Sequence, residues 1–219
     1  MPLDLAILVL GARTSGWICA EGGAADVLDA ALELGWQPIP TRPGDSPVGL
    51  IRARPGEDAN ANSLSRRYGL GLFPLHTDGA HFEDPPDVTV LCAETVSATP
   101  TLLWAVDLDA ADDPAQLTED LDHGLFCVSD GRSSRLLTAR SATGFRYDPG
   151  CMTPLDQRAR RVVTFFDSMR PRACRHMWQH TPQILVIDNL RALHARGAVS
   201  ESDRGRKLQR IMCRTGAKK

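Results

Sequence analysis

Two histidines and four acidic residues fall within fifteen positions of the stretch Phe73 to Asp87, "FPLHTDGAHFEDPPD". In an extended segment alternate residues share a face, so His76 and Asp78 point one way and Thr77 the other. An imidazole and a carboxylate on one face offer a divalent ion two ligands, and a usable site needs a third. His194 is the candidate, 116 residues beyond Asp78 in "ILVIDNLRALHARG". Two histidines with one carboxylate make the facial set that non-haem Fe(II) oxygenases use, with positions left open for co-substrate and O2. A bare His-x-Asp is common, and a lone histidine in a late strand is ordinarily structural. The pairing therefore needs support from elsewhere in the chain.

Some of that support lies in "KLQRIMCR". If it is a strand, Leu208, Arg210, Met212 and Arg214 share one face. Arginines alternating with Leu and Met suit a core face only where each meets an anion, and arginine holds a carboxylate in bidentate fashion. A solvated edge strand is the competing reading. His81, three residues past Asp78, falls on the opposite face of an extended chain and reads as a cavity wall or surface residue. Asp188 and Asn189 read as a tight turn that aims His194.

The elements that must position these groups read as follows. "LAILVLG" is taken as a buried strand and "GGAADVLDAALELGW" as a helix ending at Gly35. "VGLIRARP", "DVTVLCAETVS" and "TLLWAVDL" are strands, and "NANSLSRRYGLG" is irregular. "DPAQLTEDLDHG" is a short helix, and "LFCVSD" with "SRLLTARS" a hairpin. "TPLDQRARRVVTFFDSMRP" is the clearest helix, with Thr153 as N-cap, Pro154 in the first position and Asp156 completing a capping box. "QILVIDN", "RALHAR" and "RKLQRIMCR" close the chain as strands. Many short strands with a few helices predict a β-rich (α+β) barrel or sandwich, forming one domain over residues 1–219.

Composition excludes several classes. The 219 residues carry a formal net charge of −2, so no global field draws the chain to nucleic acid or to a membrane surface. "LAILVLGA" is too short to span a bilayer and follows Asp4 rather than a basic stretch. Six cysteines lack C-x-x-C spacing and read as buried thiols in a cytoplasmic protein. No G-x-S-x-G is present, and the glycines of "GLGLFP" open no helix, which leaves hydrolase and phosphate-loop readings without support.

Taken together, "LHTDGAHFEDPPDVTVL", "TLLWAVD", "ILVIDNLRALHARG" and "LQRIMCR" resemble, in order and spacing, the taurine dioxygenase and clavaminate synthase-like Fe(II)/2-oxoglutarate dioxygenases. The resemblance covers roughly the last two-thirds of the chain. It implies a double-stranded β-helix (jelly-roll) barrel with flanking helices. It implies His76, Asp78 and His194 as iron ligands, and Arg210 with Thr101 as the site for the distal carboxylate of 2-oxoglutarate. Arg214 matches a position that can hold an anionic group of the prime substrate, a small molecule expected to be amino-acid-like. The implied reaction consumes O2 and 2-oxoglutarate and hydroxylates an unactivated C–H in a specialised biosynthetic pathway. Desaturation, cyclisation and demethylation stay open, as does a non-catalytic barrel that binds a small acid. Asp78 disfavours halogenation, which needs that ligand position vacant. "RYDPGCMTP" resembles a family segment near the active site without an assigned role, "GAVSESDRG" is expected to be mobile, and the short chain suggests a trimmed lid.

Overall fold

The computed structural model describes residues 3–42, 44–59 and 63–216. The chain runs α1 (Leu5–Ser15), β1 (Trp17–Glu21), α2 (Ala24–Glu33), β2 (Gln37–Ile39), β3 (Val48–Arg52), α3 (Leu64–Tyr68), β4 (Val88–Ala93) and β5 (Ser97–Ala105). It continues with α4 (Pro114–His123), β6 (Phe126–Ser129), β7 (Ser134–Leu137), β8 (Arg140–Ser141), β9 (Gly144–Phe145) and β10 (Met152–Pro154). It ends with α5 (Gln157–Met169), β11 (Cys174–Trp178), β12 (Gln183–Asp188), β13 (Ala192–Arg196) and β14 (Lys207–Arg214).

The larger sheet is antiparallel in the order β1-β12-β4-β14-β2, with β3 also paired to β14. A second antiparallel sheet has the order β11-β5-β13. Strand alternation sorts their side chains into layers. Leu91, Leu185 and Leu208 from the first sheet meet Leu103, Trp178 and Ala192 from the second in one buried cluster between them. On the outer face of the first sheet Val90, Val186 and Ile211 pack on Leu5, Val9 and Val27 of α1 and α2. On the outer face of the second, Leu102, Trp104 and Leu193 pack on Val162 and Phe166 of α5. Burial on both faces suits the largely apolar β4 (VTVLCA) and the Ile184–Ile187 run of β12.

Four expectations are corrected. "LAILVLG" forms the helix α1, because Asp4 caps it by accepting from the Ile7 N–H at 3.1 Å and Leu5, Val9 and Ala12 fall on one face. Its outward Ile7 and Leu10 are 64% and 60% exposed, so the apolar run hid the helical period. The stretch taken as irregular contains α3, capped by Ser63, while its residues 60–62 lie outside the described residues. The long helix starts at Gln157 and is capped by Asp156, whose carboxylate accepts from the Ala159 N–H at 2.8 Å. Thr153 and Pro154 belong instead to β10, paired with β6. Of the six free cysteines only Cys92 and Cys213 are buried, and Cys19 and Cys174 are exposed. Among the described residues no helix is long and apolar enough to cross a membrane.

Candidate metal centre and its cavity

His76 and His194 sit opposite each other in a two-residue antiparallel bridge, each N–H donating to the other's carbonyl at 2.9 Å. Their rings lie 4.5 Å apart. Asp78 joins them from two residues further along the His76 segment. One donor atom from each of His76, Asp78 and His194 lies within 4.8 Å of the others. Thr77 points away, as alternation requires, and is fully buried against the Tyr147 main chain, with its N–H donating to the Tyr147 carbonyl at 2.7 Å. The three groups are 9%, 4% and 6% exposed.

The donor set fits a divalent ion in detail. His76 Nδ1 lies 3.1 Å from the Pro74 carbonyl, a contact that fixes the ring and leaves Nε2 as its ligand atom. Burial and the neighbouring His194 hold the His76 pKa down, which favours the neutral imidazole that metals bind. Burial would raise the Asp78 pKa, but Arg210, His194 and His76 outweigh it and keep the carboxyl below the usual carboxylate range. Arg210 donates to Asp78 Oδ1, and Oδ2, 3.5 Å from His194 Nε2, is buried without a hydrogen-bond partner. Buried polar groups are ordinarily paired, so an orphaned carboxylate oxygen beside two imidazoles suits a bound cation.

Three neighbours position this cluster, and two of them were not legible in sequence. Asn189 clamps Asp78: its Oδ1 accepts from the Asp78 N–H at 2.8 Å, and its Nδ2 donates to the Asp78 and Pro86 carbonyls at 3.0 and 2.9 Å. The Asp188–Asn189 turn was expected to aim His194; it also fixes the carboxylate. Arg146, in the "RYDPGCMTP" segment, is buried and donates to the carbonyls of Ala80, Phe82 and Glu83. Gly79, at φ +65°, turns the chain sharply, and His81 consequently lines the cavity rather than continuing an extended strand.

The cluster opens onto a cavity of about 650 Å³. Leu208, Arg210 and Met212 line it from β14, as their shared face requires, whereas Arg214 does not border it. Arg214 donates to the Asp84 carbonyl, at 3.2 Å through Nε. Arg210 donates to Thr41 Oγ1 at 2.9 Å as well as to Asp78. Thr101 lines the cavity, and its hydroxyl accepts from Trp178 Nε1 at 3.1 Å. Opposite Thr101 in register stands Arg196, stacked over the Phe73 ring at 3.8 Å.

Arg206 is in phase with Leu208, Arg210 and Met212, but it precedes β14 (Lys207–Arg214) and so was not counted on that face. It is 5% exposed, lines the cavity, and among the described residues has no carboxylate within ion-pair distance. Burial lowers the pKa of both Arg196 and Arg206 to about 10, and the two repel each other, yet both stay charged at neutral pH. The loop before Arg206, expected to be mobile, is anchored. Asp203 accepts from Ser97 Oγ at 2.8 Å and the Thr99 N–H at 2.9 Å.

No family model matches the chain, and no curated protein matches it significantly. Solved structures do match. An asparagine oxygenase in complex with Fe(II), 2S,3S-3-hydroxyasparagine and succinate superposes with a TM-score of 0.69 at 16% identity, over 97% of this chain and 78% of that one. A variant of the non-haem iron oxygenase OrfP in complex with (3S)-hydroxy-L-Arg gives 0.72 at 18% identity, over 96% and 79%. OrfP with Fe and alpha-ketoglutaric acid gives 0.66 at 20%, over 87% and 64%. The chain has the fold of these non-haem iron oxygenases.

Proposed function

We propose that the chain, as one domain over residues 1–219, is an Fe(II)/2-oxoglutarate-dependent dioxygenase that hydroxylates a small, amino-acid-like substrate. The two facing sheets are then the halves of a double-stranded β-helix barrel, and His76, Asp78 and His194 hold the iron. The observation that carries this reading is the buried triad with an orphaned carboxylate oxygen, facing a cavity that also holds a buried, unpaired arginine. Iron, when bound, supplies the activation of O2 that couples conversion of 2-oxoglutarate into succinate to oxidation of substrate.

The chain's own residues bind and orient. The distal carboxylate of 2-oxoglutarate is assigned to Arg206, with Thr101 and Arg196 beside it. That moves the expected role four residues back from Arg210, which is engaged with Asp78. Burying a guanidinium without an acid is costly, so an incoming carboxylate is its natural complement. Arg210, at the edge of the metal cluster, holds Asp78 Oδ1 so that Oδ2 faces the ion, and can share its remaining N–H groups with an acid group of the substrate. That role was expected of Arg214, whose guanidinium sits on Asp84 outside the cavity. Asp148, in the cavity wall, is the acceptor for a substrate ammonium; its field reaches both His76 and His81.

The solved relatives are complexed with hydroxylated amino acids, which supports the same substrate type here. Six free thiols suit a reducing compartment such as the cytoplasm. The reading is tested by oxygen-dependent succinate formation from 2-oxoglutarate in iron(II)-loaded protein. Iron-dependent succinate is the expected result. A protein that binds 2-oxoglutarate but never converts it would instead be the small-acid-binding barrel.

A further inference from the structure

The charges around the cavity do not balance, and the imbalance has one sign. Resting on the oxygenase reading, Fe(II) and the 2-oxoglutarate dianion cancel, and Arg210 is paired with Asp78. Arg196, Arg206 and Asp148 then remain in the cavity wall, with the exposed Arg54, Arg67 and Asp130 at its rim. Four arginines thus stand against two aspartates in the lining, and Asp203, the further acid whose field reaches Arg206, leaves the sign of the excess unchanged. Arg42, which has a partner of its own, is left out, and Arg52, exposed in the same wall, would only enlarge the excess.

None of the four arginines has a carboxylate within ion-pair distance among the described residues. Arg67 donates only to the Pro149 carbonyl and Arg196 to those of Gly69 and Gly71. Asp130 is largely spent on its own turn, accepting from the Arg132 and Ser133 N–H groups at 2.7 Å. An amino acid with a neutral side chain brings no net charge and leaves the excess in place. A cationic side chain enlarges it in a low-dielectric cleft. An acidic side chain reduces it.

We propose that the prime substrate is net anionic: an acidic amino acid or close derivative, with one ammonium and two acid groups. The ammonium faces Asp148, one acid group shares Arg210, and the other is drawn to the arginine rim.

Amide–acid pairs test charge at nearly constant size. L-Aspartate against L-asparagine, and L-glutamate against L-glutamine, are each titrated into protein loaded with iron(II) and 2-oxoglutarate. Thermal shift and substrate-dependent succinate formation are the readouts. At least one acid should exceed its amide by about tenfold. That advantage should shrink as salt rises, because screening acts on the exposed rim charges first. The double variant Arg54→Gln, Arg67→Gln should remove most of the advantage, by raising KM for the acid more than it lowers kcat. Equal responses, a preference for the amide, or no response to any of the four overturns the proposal. Failure of iron(II) and 2-oxoglutarate to bind at all is a different result, and it overturns the oxygenase reading together with this one.

Discussion

Asn189 holds Asp78 by both of its main-chain polar groups, accepting from its N–H at 2.8 Å and donating to its carbonyl at 3.0 Å. A side-chain amide carries the acceptor and the donor that this needs, and a carboxylate lacks the donor. Because Asn189 lies in the turn five residues before His194, one side chain ties the carboxylate of the site to the strand that carries its second imidazole. Asn189→Asp loses the donor and sets a charge against two carbonyls. It should weaken iron(II) affinity about 10–100-fold, as for other outer contacts of metal ligands. Anaerobic iron(II) titration checks this, with Asn189→Ala as a second variant. Wild-type affinity in both would make the residue a simple turn former.

Arg206→Lys keeps the charge but loses the planar fork. Charge-assisted hydrogen bonds are worth ~1.5–3 kcal/mol, so 2-oxoglutarate binding should weaken by about tenfold to a hundredfold. Titration of 2-oxoglutarate into Arg206→Lys and Arg210→Lys proteins separates the two arginines. A larger loss in Arg210→Lys would return the carboxylate to β14.

Asp203 makes the loop before Arg206 sensitive to acid. Burial raises its pKa, but the hydrogen bonds from Thr99 and Ser97 and the charge of Arg206 outweigh burial and hold it below the ordinary range. A depressed carboxylate stabilises the fold above its unfolded pKa, about 3.9, and that contribution fades as pH falls through the folded value. Asp203→Asn should therefore lower Tm at neutral pH, with the gap to wild type closing below about pH 4. A gap independent of pH would show that the charge of Asp203 is not what anchors the loop.

Much of the site was readable because strand alternation is a strong local rule. It placed His76 with Asp78, set Thr77 on the other side and put Leu208, Arg210 and Met212 on one face. What was not readable depends on tertiary context. The apolar run of α1 has no visible period because Ile7 and Leu10 face outward, so only the cap at Asp4 marks it as a helix. Short strands such as β1, β2 and β11 are defined by their partners rather than by pattern. Arg206 continues the alternation of Leu208 and Arg210 one step before β14, but the burial that gives it a role is not announced by spacing. Asp156 outcompetes Thr153 as cap because Thr153 is already committed to pairing with Cys127.

Gly79→Ala tests the turn behind Asp78. At φ +65° a side chain is strained, and the added Cβ would lie 2.7 Å from Phe82 and from Pro86. The variant should lose more than ~1 kcal/mol of stability and bind iron(II) less tightly. Denaturant unfolding alongside metal titration measures both. Unchanged stability would mean that the turn relaxes freely.

The proposed function stands on His76, Asp78 and His194 together holding one iron. Its most direct test is the iron(II) stoichiometry and affinity of wild-type protein beside Asp78→Ala, with folding confirmed for both by circular dichroism. Wild type should bind one iron(II) per chain, and Asp78→Ala should lose most of that affinity while keeping its fold. Iron bound equally well by the folded Asp78→Ala protein would remove Asp78 from the ligand set.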